Sequence, residues 1–167
     1  YDIYGNPVES KEVAGDVTAE QVIDSYLEAI GGVDKLESIE DVTTKMSTSM
    51  QGMSLQMTNY QKVPNKMAMQ VNMNGSVVNE VRFDGEKAMV SQMGQKQVLE
   101  GEQAAGQAAQ AELFPERNYA ANGYGLELKG IETVNGTDCY KVNVTLANDN
   151  VVSEFYDVAT GLKIKSV

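Results

Sequence analysis

The residue types that most often carry catalysis are scarce in this chain. It has 167 residues, no histidine and a single cysteine, Cys139. A serine or cysteine nucleophile activated by imidazole has no base here, and a Cys/His zinc site has no ligand set. Carboxylates are abundant, with 24 Asp and Glu, which leaves a hard-cation site chemically open. No spacing singles out two of them as a glycosidase-type acid and base. Gly123-Tyr124-Gly125 lacks the third glycine and the following helix of a dinucleotide fingerprint. Cys139, in the run DCYKVNV, reads as a small buried strand residue, and no disulfide can form within the chain. The sequence therefore predicts no catalytic residue, no metal and no cofactor, and the chain reads as a non-enzyme.

The chemistry that remains is binding without bond-making. Residues 46–73 read MSTSMQGMSLQMTNYQKVPNKMAMQVNM and hold seven of the nine methionines. Ordering a methionine costs up to ~2 kcal/mol of side-chain entropy, against ~0.5–1 kcal/mol for leucine or isoleucine. A core selected for stability alone has little reason to concentrate them. A surface that must repack around apolar guests of differing shape does. Ordinary core packing is the competing reading. The candidate lining residues are Met46, Met50, Met57, Met67, Met69, Met73, Val81 and Phe83, and the expected guest is an apolar ligand of variable shape.

These side chains need strands to align them. From Asp41 the pattern has a period of two: Val42, Thr44, Met46, Thr48 and Met50 alternate with polar neighbours. After Gln51-Gly52 the phase shifts to Met53, Leu55 and Met57, and after Val63-Pro64-Asn65 to Met67, Met69, Val71 and Met73. Asn74-Gly75 and Asp84-Gly85 are hairpin turns, followed by Val77, Val81 and Phe83 and by a strand near residues 87–92. Four further strands follow residue 124, with turns at Asn135-Gly136, residues 148–150 and Thr160-Gly161. Arg82 falls on the polar face of its strand and is expected to pair with Glu80.

Helices lie at the margins. Thr18 and Gln21 form a capping-box pattern before Val22, Ile23, Tyr26, Leu27 and Ile30, which repeat at helical spacing up to Gly31-Gly32. A second short turn carries Leu36 and Ile39. Residues 99–113, rich in alanine and glutamine, read as a lid-like helix weakened by Gly101 and Gly106. The fold class is α+β: about nine or ten antiparallel strands on one sheet, an N-terminal helix pair and the lid. Helices this short cannot cover a flat sheet of that size, so the sheet is expected to curl into an incomplete barrel with the methionines inside. Residues 1–17 read as a tether from a removed upstream segment, and 18–167 as the domain.

Net charge is −11, with no basic stripe, which excludes a nucleic-acid partner and argues against anionic headgroups. No segment is apolar for long enough to cross a membrane as a helix.

The succession QKVPNKMAMQVNMNG (61–75) and then VRFDGEKAMV (81–90) resembles the periplasmic carriers and sorting factors of outer-membrane lipoproteins, the Lol type. Lys62, Pro64 and Asn65 match that family's K-x-P-N turn, and Asp84, Gly85 and Lys87 match its following turn. The family's lid-latching arginine is Val63 here, and its aromatic residue is Met67. The resemblance implies an incomplete barrel closed by lid helices, acyl chains held inside, and a bacterial periplasmic or envelope location. The leader YDIYGNPVES, the helix ending I-G-G and the closing FYDVATGLKIKSV also resemble the C-terminal extension of pitrilysin-type zinc peptidases of Bacteroidetes-like bacteria. That likeness implies an upstream peptidase domain in the same polypeptide. It also implies an alternative role, an accessory or docking domain with no ligand cavity.

Overall fold

A computed structural model describes residues 11, 13, 15–50, 52–147 and 149–167, with the side chains of Met50 and Ala105 excepted. The leader YDIYGNPVES lies outside the described residues, as do Gln51 and Asn148 of two expected turns. The chain divides into two compact units, Tyr1–Leu36 with Glu116–Val167, and Glu37–Pro115.

The first helix, α1 (Ala19–Ala29), starts where the capping box predicts. The Thr18 hydroxyl accepts from the Gln21 N–H, and the Gln21 side chain accepts from the Thr18 N–H. Its buried face is Ala19, Val22, Ile23 and Leu27. Gly31 and Gly32, both at positive φ, end it, and a single turn, α2 (Val33–Glu37), buries Leu36.

The 37–115 unit is a six-stranded antiparallel meander: β1 (Asp41–Met50), β2 (Met53–Lys62), β3 (Lys66–Met73), β4 (Ser76–Phe83), β5 (Ala88–Gln92) and β6 (Gln95–Leu99). The turns fall where Asn74-Gly75 and Asp84-Gly85 predict. Asn74 adopts φ 50°, and Asp84 Oδ1 accepts from the N–H groups of Glu86 and Lys87. The β5–β6 hairpin was not legible in the sequence. Its turn is Met93-Gly94, and Met93 takes the positive φ that such a turn usually reserves for Asn or Gly. The helix α3 (Glu102–Ala111) follows, shorter than the expected 99–113 because residue 99 completes β6.

The other unit brings the strands among the described residues to ten with β7 (Gly125–Val134), β8 (Thr137–Thr145), β9 (Val151–Asp157) and β10 (Lys163–Ser166), ordered β10-β9-β8-β7. Among the described residues the strands thus form two antiparallel sheets rather than one, and α3 and a 3-10 turn (Pro115–Asn118) lie between β6 and β7 in chain order. Neither sheet closes into a barrel. Lys11 forms an antiparallel bridge with Ile131, and its ammonium meets Asp138 at 2.7 Å. Tyr156, Val142, Val144 and Cys139 fill the centre of this unit. Gly161 lets the β9–β10 turn touch α1, since a Cβ there would lie 3.0 Å from the Ser25 carbonyl oxygen.

Candidate ligand-binding face

The strand register brings the predicted residues onto one face of the six-stranded sheet. Met46 lies opposite Met57, Met57 opposite Val71, and Leu55 opposite Met73. Met69 pairs with Val81, and Met67 with Phe83. Cross-strand partners share a face, and residues two apart on a strand do so too, so the thioethers gather on one largely apolar face. The side chain of Met50 is outside the described residues.

The face has two parts. Next to the β2–β3 turn, Met67, Val81, Phe83 and Ala88 are buried under α3, which contributes Ala104 and Ala111. Met69, Val90, Leu99 and Ala108 pack around them, half-buried. Further along the same strands the cover stops. Met57 and Val71 are half-buried, while Met46 is 50% exposed, Leu55 38% and Met73 36%. Methionine therefore serves as core at one end of the face and as accessible apolar surface at the other.

Two details show how α3 is held. It contributes only alanines to this core, each burying about one methyl group. Its N-cap is Gly101, which offers no capping side chain, and Gly106 weakens its middle. At its C-terminal end the orphan carbonyls do find a donor. Gln61 Nε2, on β2, donates to the backbone oxygens of Gln110 at 2.9 Å and Glu112 at 3.1 Å. Sequence reasoning missed this contact, although Gln61 shares its strand parity with Met57.

The face also carries polar side chains, Thr44, Thr48, Gln61 and Gln92 among them, and two asparagines. Asn59, between Met57 and Gln61 on β2, and Asn79, in register with Val71, each bury a side-chain carbonyl oxygen that accepts no hydrogen bond. The reverse face is conventional. Glu80 Oε1 accepts from Gln70 at 3.0 Å and from Arg82 Nε at 2.9 Å, and these bonds hold its carboxyl below the ordinary range. The expected Arg82–Glu80 pair is present.

The other unit carries a buried charged cluster that the sequence reading did not single out. Glu116, in the 3-10 turn, and Glu154, on β9, are both buried and share one cation, Lys163 of β10. Lys163 Nζ donates to Glu116 and, at 2.9 Å, to Glu154. Tyr119 and Tyr156 donate to the two oxygens of Glu154 at 3.1 and 2.5 Å. Burial and the charge of Glu154 push both phenols well above their ordinary value. Burial opposes the charge of Lys163, but Glu116 and Glu154 outweigh it and raise its pKa. The available signal was parity: Glu154 lies on the same strand face as Val152 and Tyr156. Nearby, an open cleft of about 690 Å³ is lined by Gln21, Asp24, Tyr140, Asp157 and Thr160 among others, and by none of the eight candidate residues.

Among the described residues no group of His, Cys, Asp and Glu is arranged to hold a metal ion, and no helix is long and apolar enough to cross a membrane. No protein-family model and no curated protein matches the sequence. Solved structures do. A LolA superfamily protein from Nitrosomonas europaea superposes with a TM-score of 0.51 over 90% of this chain and 71% of its own, at 14% identity. A DUF1329 family protein from Desulfovibrio piger gives 0.50 over 89% and 72%, at 13% identity.

The fold is of the LolA type.

Within this LolA-type frame, the motif residues behind the resemblance are turn-formers. Lys62 and Lys66 bracket the β2–β3 connection, and Asp84 braces the β4–β5 connection through backbone N–H groups. Val63, where the Lol pattern has its latch arginine, donates its backbone N–H to the Glu40 carbonyl at 2.9 Å. The grip on α3 comes instead from Gln61, two residues earlier.

Proposed function

We propose that this chain is a non-catalytic, carrier-type domain of the bacterial envelope that holds a lipid or lipoprotein acyl chain on the methionine face of its six-stranded sheet. The observation that carries the reading is the division of one largely apolar face into a part filled by α3 and a part left open to solvent. An acyl chain laid on Met46, Leu55, Met57, Val71 and Met73 removes that surface from water. It can then extend under α3 by displacing helix alanines that contribute little contact each. Methionine suits both states, because its unbranched side chain repacks against either the helix or a guest. The LolA superfamily likeness supports a lipid-binding role by analogy of fold.

The test is organic extraction of the purified, natively folded protein followed by lipid mass spectrometry. Stoichiometric recovery of an acyl lipid supports the carrier reading. Extracts no richer in lipid than those of an unrelated protein from the same host count against it and favour a docking domain whose sheet serves protein contacts.

A further inference from the structure

The methionine face is not uniformly apolar: by register Thr44, Thr48, Gln61 and Gln92 share it, and two asparagines on it stand out by the burial of their side-chain oxygens. Three adjacent strands contribute a block of two rows. One row is Asn59, Met69 and Val81; the next is Met57, Val71 and Asn79. The two asparagines occupy diagonally opposite corners. Two strand spacings and one two-residue step separate them, about 12 Å between backbones. The Oδ1 atom of each is buried without a hydrogen-bond donor.

An unsatisfied buried carbonyl oxygen costs stability, and a chain that needed only an apolar wall gains nothing by placing two of them there. Gln61 shows the alternative on the same face, an amide whose N–H is fully used by α3. Asparagine at a strand centre also has poor β-propensity, so neither position is favoured by local structure.

We infer that the guest is an acyl chain that itself carries a hydrogen-bond donor, a chain hydroxyl or an amide N–H, and that Asn59 and Asn79 accept from it. The inference rests on the reading of this face as an acyl site and goes further by naming the ligand's polar chemistry. The hydrocarbon lies along Met57, Met69, Val71 and Val81, while the donor is positioned by an amide at either end of that block. Discrimination follows because a plain hydrocarbon leaves both oxygens buried and unpaired, whereas a donor-bearing chain satisfies at least one.

Displacement of a bound fluorescent fatty acid provides the test, with hexadecanoic acid, a chain-hydroxylated hexadecanoic acid and an N-alkyl hexadecanamide as competitors. The expected result is that the hydroxylated acid, the amide or both bind about tenfold or more tightly than the plain acid. In N59L/N79L that preference should disappear, with plain-acid affinity kept or improved. Because the variant removes two unpaired polar atoms, its folding should not suffer, and a thermal melt checks this. The wild-type comparison alone is already decisive. Equal affinity for all three competitors overturns the inference and leaves the acyl-site reading standing. A preference that survives in N59L/N79L overturns the assignment to these residues. No binding of any competitor removes the inference together with the reading beneath it.

Discussion

Gln61 Nε2 lies 2.9 Å from the backbone carbonyl oxygen of Gln110, so one β2 side chain secures the C-terminal end of α3. The same nitrogen reaches Glu112. The carbonyls at a helix's C-terminal end call for donors from outside the helix, and Gln61 supplies one here. Replacing Gln61 by leucine should cost roughly 0.5–1.5 kcal/mol. More tellingly, it should raise amide hydrogen exchange across residues 102–111 while leaving the β7–β10 strands protected. Uniform change, or none, would mean that α3 is held by other contacts.

Gly106 makes the complementary case. A methyl group there would meet no atom within 4 Å, and the residue sits inside α3 at an ordinary helical φ. G106A should therefore stabilise the helix by about 0.5–1 kcal/mol. If α3 covers the guest site, the same change should slow uptake of a fluorescent fatty acid, measured by stopped flow. Stabilisation with no effect on uptake would separate the helix from the binding event.

The Glu116–Lys163–Glu154 cluster predicts a large penalty for removing its cation. Lys163→Met leaves two buried carboxylates facing one another, which should cost about 3 kcal/mol or more in a urea titration. Combining it with Glu116→Gln should recover part of the loss, because one of the uncompensated charges is gone. A single-variant loss below about 1 kcal/mol would show that water reaches the cluster freely.

Alkaline pH should expose the same cluster. Tyr119, Tyr156 and Lys163 all have raised pKa values in the folded chain, so the native state holds their protons more tightly than the unfolded state does. That stabilisation is complete below about pH 10, the ordinary value for tyrosine and lysine, and is lost as pH rises above it. The melting temperature should hold steady to about pH 9 and then fall, with buried tyrosinate absorbance emerging together with unfolding. Free titration of all eight tyrosines in the folded state would contradict the assignment.

Much of this architecture was legible before any coordinates. Period-two alternation located β1 to β4, and Asn-Gly and Asp-Gly pairs located their turns, because those residues tolerate positive φ cheaply. The capping box located the start of α1. Two kinds of feature were hidden. The β5–β6 turn escaped because Met93 occupies a conformation that its side chain does not advertise. The partition into two sheets escaped because which strands hydrogen-bond to one another is a tertiary outcome. For the candidate site, parity placed the methionines on one face but could not say which α3 would cover. Met67 and Met46 look alike in sequence, yet one is 5% exposed and the other 50%. Nor did the pattern flag Asn59 and Asn79, which read as ordinary polar residues until the register put them among the methionines.

The central claim is that the open end of the methionine face binds an acyl chain, and a direct titration tests it. A fluorescent fatty acid should bind the wild-type protein saturably. M46Q/M57Q/M73Q, altered only at the open end, should weaken that binding by about tenfold or more with little change in unfolding midpoint. Saturable binding that is indifferent to these three substitutions, or no saturable binding at all, would contradict the account.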